Sequence, residues 1–260
     1  MGKGGIGMNV QDQYIINLIQ KAHRIDGRGL EDFRKVTLEK NPIGQAEGSA
    51  LVQIGNTKVV VGVKMGVGTP FPDTPKEGIL ICNAELSPLA SPNFELGPPG
   101  EESIELARII DRGIRESKAI DVEKLCITEG EKVWMVFVDI YPINHQGNLI
   151  DASGLAAASA LANAKMPKLE GDKLIYDEKK TPLPLKELPI PVTFAQIKDH
   201  LVVDPSLEEE RAMNGRITVS TKENGNVCAI QKGGDAMTMA NIEKALDMSV
   251  KKGKDLRKLV

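Results

Sequence analysis

The run Val133-Trp134-Met135-Val136-Phe137-Val138-Asp139-Ile140 is apolar at every position but one. A strand that is apolar on both sides has no face to give to water, so it belongs in the middle of a covered sheet. Neighbours for it lie upstream. Ala50–Ile54 and Thr57–Met65 flank Gly55-Asn56, the signature of a β-hairpin closed by a two-residue turn. Ile79–Leu86 reads as a third strand. Strand periodicity begins at about Val36, so the first half of the chain predicts a sheet with that apolar run at its heart.

Helical signals are set apart from these strands. Val10–Ala22 places Tyr14, Ile15, Leu18 and Ile19 on one face, Ser103–Ala119 begins with Ser103 as its expected N-cap, and Asp151–Ala164 is an alanine-rich helix suited to burial. Gly66–Gly78 and Ser87–Gly100 are rich in glycine and proline and read as irregular loops. Four further strands follow at Pro191–Ile197, Leu201–Asp204, Arg216–Ser220 and Val227–Gln231. A closing helix at Thr238–Lys258 carries Lys251, Lys252, Lys254, Arg257 and Lys258 toward its negative end. Runs of strands with segregated helices predict an α+β fold in two β-rich lobes. The expected organisation is a first lobe over residues 10–170, a polar connector at 171–189 and a second lobe at 190–260. Residues 1–9 are expected to be disordered or vector-derived, since Met8 follows a Gly-rich opening.

The 33 basic and 36 acidic residues leave a net charge of −3, which excludes coating of nucleic acid by bulk charge. Any phosphate binding must come from a local cluster. The helix Glu102–Ala119 supplies one. At about 100° per residue, Arg108, Arg112 and Arg115 fall within about 60° of one another, opposite Leu106, Ile110, Gly113 and Ile114. Planar guanidiniums suit phosphate oxygens. The competing reading is an ordinary solvated face, with Glu105, Asp111 and Glu116 pairing the arginines.

Two other segments invite functional readings. Gly147-Asn148-Leu149-Ile150-Asp151 joins a buried strand to a helix, the geometry of an anion site, yet Asp151 brings negative charge there. An ordinary cap by Asn148 or Asp151 is the simpler expectation. Asp204-Pro205-Ser206-Leu207-Glu208-Glu209-Glu210-Arg211 concentrates carboxylates, but adjacent side chains diverge, so a solvated acidic turn is expected in place of a Mg²⁺ site. Cys82, Cys126 and Cys228 lack metal or disulfide spacing and are expected to be buried thiols of a reducing compartment. His23, His145 and His200 show no triad spacing, and low aromatic content argues against a base-stacking platform. With no membrane span or signal peptide in view, a cytoplasmic protein without membrane partners is expected.

Taken together, Ile25-Asp26-Gly27-Arg28, Gly48-Ser49-Ala50, Gly55–Val63, Ile104-Glu105-Leu106-Ala107-Arg108 and Asp204–Glu210 resemble the RNase PH family over roughly residues 10–258. The likeness is strongest to its catalytically silent branch in the archaeal exosome. The resemblance implies an RNase PH-like fold, related to the second domain of ribosomal protein S5. It also implies a phosphate-dependent 3′-to-5′ RNA-degrading complex. Active members carry a phosphate turn, arginines ahead of the central helix and a second-lobe aspartate pair. At those places this chain has Gly147-Asn148-Leu149-Ile150, Glu101 and Glu102, and Glu209-Glu210-Arg211-Ala212-Met213.

The resemblance therefore implies a non-catalytic subunit, without cofactor or metal of its own, that pairs with a catalytic RNase PH-like paralogue as a trimer of heterodimers. Inorganic phosphate and Mg²⁺ would sit at the partner's active site. Single-stranded RNA and RNA-binding cap proteins are the other implied partners. Arg112 and Arg115 would hold RNA at the neighbour's site; Arg108 would join them or pair with Glu105. Lys64 and Lys76, near the Gly66–Gly78 loop, are weaker channel contacts. Two alternatives stay open: an active phosphorolytic nuclease built on Asp204, Glu209 and Glu210, and a small-molecule kinase using Gly154-Leu155-Ala156-Ala157-Ala158-Ser159.

Overall fold

The computed structural model describes residues 10–171, 173–176 and 181–260; the expectation for residues 1–9 and part of that for the connector lie outside them. In chain order the elements are α1 (Val10–Gln20), β1 (Val36–Lys40), β2 (Gly48–Ile54), β3 (Thr57–Gly68), β4 (Ile79–Ala84), α2 (Glu101–Glu116), β5 (Cys126–Thr128), β6 (Lys132–Asn144) and α3 (Leu149–Asn163). Short strands β7 (Lys165–Met166), β8 (Lys168–Glu170), β9 (Lys173–Ile175) and β10 (Thr181–Pro182) follow. The chain then continues through β11 (Ile190–Ile197), β12 (His200–Val203), α4 (Leu207–Ala212), β13 (Gly215–Thr221), β14 (Val227–Gly234) and α5 (Met239–Arg257).

The first sheet runs β1-β2-β3-β6-β4, with β5 also paired to β6. The apolar run is central, as its composition demands. It pairs antiparallel with β3 and parallel with β4, and Val133, Val136, Val138 and Ile140 are all fully buried. The β2–β3 hairpin turns at Gly55-Asn56 with φ +58° at the glycine, the one place where that turn needs a left-handed residue. The second sheet is antiparallel throughout, β12-β11-β13-β14.

α3 lies between the sheets. Every residue from Ile150 to Leu161 is buried, and the helix packs on β2, β3 and β11. Its alanines let backbones approach closely: a Cβ on Gly48 would meet the Ala160 carbonyl, and one on Gly154 would meet Pro191. A single apolar cluster therefore runs from Val52 and Val61 through Leu155 to Val192, Phe194 and Met248. α2 packs on β4, α3 and β14, and α5 covers β11 and β13.

Several expectations need correction. The buried face of α1 is Ile15, Ile16 and Ile19, while Tyr14 turns to solvent; the helix docks on α4, which the sequence pattern did not reveal. Ser103 is not the N-cap of α2. Gly100 is, and Ser103 Oγ donates to the Gly100 carbonyl from inside the first turn. The three thiols are partly exposed and not fully buried. β3 also extends through Gly68, so the loop after it starts later than its glycines suggest.

Candidate nucleic-acid interface

α2 keeps the amphipathic arrangement its spacing predicts. Leu106, Ala107, Ile109, Ile110, Gly113 and Ile114 are buried, whereas Arg108, Arg112 and Arg115 are exposed. The three arginines differ in their surroundings. Arg115 is held by Asp111, Nε and Nη2 donating to the carboxylate at 3.1 and 2.8 Å, and Nη2 also reaches the Leu80 carbonyl. This is the i, i+4 pairing that the solvated-face reading expects. Arg108 and Arg112 make no hydrogen bond or ion pair among the described residues. Glu105 does not pair with Arg108; its Oε1 accepts Nη2 of Arg216, from β13, at 2.5 Å. The unpaired arginines border a surface cavity of about 410 Å³, lined also by Glu101, Ile104, Glu105 and Gln231.

The start of α3 is capped by Asn148, which sits at φ +55° and accepts the Asp151 N–H. Gly147 precedes it at φ +86°, packed so tightly that a Cβ would meet the backbone of Pro205, Ser206 and Leu207. The cap residue at this end of the helix is surrounded by carboxylates. Glu210 Oε1 accepts the Asn148 backbone N–H at 2.8 Å, and the Asn148 side chain donates to Asp204 Oδ1 and Asp151 Oδ2 at 2.8 and 2.9 Å.

The acidic segment is thus not a solvated turn. Asp204 and Glu209 are fully buried, and residues 207–212 form α4 behind a Ser206–Glu209 capping box. Glu209 accepts a two-pronged bond from Arg24, at 2.8 and 2.5 Å. Asp204 accepts from Arg28 and twice from the Arg34 side chain, at 2.9, 2.9 and 2.7 Å. Arg34 goes on to the Gln146 and Gly147 carbonyls, and Arg24 to those of Val203 and Asp204. Asp204, Glu209 and Glu210 are thereby committed to internal partners; the described residues contain no cluster of three metal-ligating side chains.

Environment pushes these carboxyls apart. Burial would raise Asp204, but the hydrogen bonds and charge of Arg34, with help from Asn148, outweigh it and hold the group below the usual carboxylate range. Asp151 and Glu210 have no guanidinium in direct contact. Burial pushes each up to about 7, against the bonds that Asn148 and Thr193 give Asp151 and the Asn148 N–H gives Glu210.

Sequence reasoning missed Arg24, Arg28 and Arg34. Arg24, Arg28 and Arg34 have Asp26, Glu31 and Asp32 close by in sequence, so local charge balance gave no sign that they reach the acidic segment. The other candidates have mundane partners. Lys64 bonds Glu47 and the Gln45 carbonyl, Lys76 pairs with Glu129, and His145 stacks on Phe94. Gly154–Ser159 is buried inside α3 and forms no nucleotide loop.

Residues 32–167 match domain 1 of the 3′ exoribonuclease family, RNase PH, and residues 187–252 match its domain 2. The chain belongs to the RNase PH family. Exosome complex component Rrp42 of Pyrococcus horikoshii is 50% identical over 266 residues, spanning 100% of this chain and 97% of that protein. The protein of the same name from Methanosarcina acetivorans is 50% identical over 251 residues, covering 96% and 93%. Among solved structures, a chain of the Archaeoglobus fulgidus exosome with RNA bound to the active site superimposes with TM-score 0.90 at 49% identity, covering 96% of this chain and 97% of that one. Rice Rrp46, at 16% identity and TM-score 0.70, shares the fold. The α+β, RNase PH-like expectation is borne out.

Proposed function

We propose that this chain is a structural and RNA-binding subunit of a cytoplasmic archaeal exosome. It pairs with a catalytic RNase PH-like paralogue, three pairs closing a six-membered ring, and has no phosphorolytic activity of its own. Near-full-length identity to Rrp42 proteins supports membership of the complex. The silence rests on one observation: the carboxylates of Glu210 and Asp204 stand on Asn148, the cap residue of α3. A phosphate entering there would meet carboxylates where it needs donors, and Asn148 has no further backbone N–H to offer. Glu101 and Glu102 open α2 with negative charge, which repels a phosphate at the other helix start as well.

The arginine face of α2 provides the positive role. Arg112 and Arg108 are unpaired and Arg115 retains exposed surface, so all three are available to the backbone of single-stranded RNA held at the partner's site. Closed rings need two different contact surfaces per chain. Phosphate and Mg²⁺ act at the partner's centre.

Incubation of the purified chain with poly(A), inorganic phosphate and Mg²⁺ tests the silence. No nucleoside diphosphate should appear. Release of diphosphate by a preparation free of the paralogue would overturn this reading and restore Asp204, Glu209 and Glu210 as a working carboxylate set.

A further inference from the structure

Arg108 has two carboxylates within helical reach, Glu105 three residues before it and Asp111 three residues after. Either would neutralise it, yet both are bound to other arginines. Asp111 is held by Arg115 from the same helix. Glu105 is held by Arg216, which reaches from β13 of the second sheet and places Nη2 2.5 Å from Glu105 Oε1. The Arg216 side chain is only 16% exposed, and its buried Nε has no hydrogen-bond partner. Its orientation is therefore set by packing and by Glu105, not by a spread of competing bonds.

The cavity beside this pair is bordered by Glu105, Arg108, Arg112 and Gln231 together. A free carboxylate at 105 would stand at the mouth of a phosphate-binding face. It would repel the backbone and also offer Arg108 a local partner. Arg108 and Arg112, one turn apart with like charge, disfavour each other in the absence of an anion. That repulsion is slightly unfavourable for the helix and is relieved when an anion binds between them.

We infer that Arg216 is a positioning residue for the RNA-binding face: by capturing Glu105 from β13 it keeps that carboxylate off Arg108 and leaves Arg108 and Arg112 open to phosphate. The inference rests on the arginine-face reading above. It extends the site to a residue of the second sheet that need not touch RNA.

The test uses the chain assembled with its catalytic paralogue and a fluorescent oligoadenylate, with affinity followed across a salt series. Arg216→Met should free Glu105 to pair with Arg108, lowering affinity about three-fold and the log–log salt slope by about one. Adding Glu105→Gln should restore both, which a general loss of structure would not allow. Glu105→Gln alone removes the carboxylate but leaves the Arg216 cation in place, so affinity should not fall below wild type. An Arg216→Met loss that Glu105→Gln does not rescue would overturn the inference, as would a several-fold fall from Glu105→Gln alone. Should Arg216→Met fail to fold, Glu105→Gln alone still decides. Arg108→Ala with Arg112→Ala serves as the reference: if that variant binds like wild type, it is the arginine-face reading that fails.

Discussion

Glu210 Oε1 lies 2.8 Å from the backbone nitrogen of Asn148, so the first amide at the head of α3 is spent on a carboxylate from α4. Helix starts attract anions because their amides are free and their dipole is positive. Here the anion is built in, and the same contact ties the first sheet's helix to the segment leading out of β12. Replacing Glu210 by Gln keeps an acceptor for the Asn148 N–H while removing the charge. The E210Q chain should remain folded by circular dichroism and remain silent toward poly(A), because Asp204 still faces the same cap.

The Arg24–Glu209 pair is fully buried, which makes its two halves interdependent. Removing one partner strands the other charge away from water. Arg24→Met is expected to destabilise the chain by about 3–5 kcal/mol in urea unfolding. The double variant Arg24→Met/Glu209→Gln should recover a large part of that loss. Equal destabilisation by the single and the double variant would show that packing, not charge, is what the pair supplies.

Asp151 and Glu210 set the pH dependence near neutrality. Both carboxyls are raised to about 7 in the folded chain and return to the ordinary carboxylate range on unfolding. The folded state therefore holds more protons between about pH 4 and 7, and stability falls as pH rises through that window. Asp204 acts oppositely: its value is depressed, so its contribution is lost as pH falls below the ordinary carboxylate range. Thermal unfolding should thus be most resisted in mildly acidic solution. Asp151→Asn keeps an acceptor for the Thr193 N–H but replaces the oxygen that accepts from the Thr193 hydroxyl by an amide nitrogen, so that this hydroxyl must donate to Thr218. The variant should flatten the fall toward neutral pH.

Gly147 shows how little room the junction has. A methyl group there would lie 2.4–2.6 Å from three backbone atoms of residues 205–207, and its φ of +86° already disfavours any side chain. Gly147→Ala should cost at least about 2 kcal/mol by denaturant titration. A loss below about 0.5 kcal/mol would mean that the β12–α4 segment yields easily.

Much of this architecture was legible in the residues. The apolar run at 133–140 could only be central, Gly55-Asn56 could only close a hairpin, and the alanine-rich α3 had to be buried. What escaped was long-range. Nothing local distinguishes an acidic turn in water from one facing Arg24 and Arg34, which lie 185 and 170 residues away from Glu209 and Asp204. The same holds for Glu105, whose local partner Arg108 was the natural expectation and whose actual partner, Arg216, comes from β13. The arginine face itself followed from periodicity, because helical spacing alone determines which side chains share a side. Which of its members are already spoken for depends on tertiary contacts.

The most direct measurement is RNA binding and phosphate-dependent turnover by the reconstituted assembly carrying Arg108→Ala, Arg112→Ala and Arg115→Ala in this chain. Particle mass should be unchanged, while affinity, salt slope and turnover all fall relative to the wild-type assembly. Binding and turnover identical to wild type would contradict the claim that this chain lends cationic side chains to a neighbouring active site.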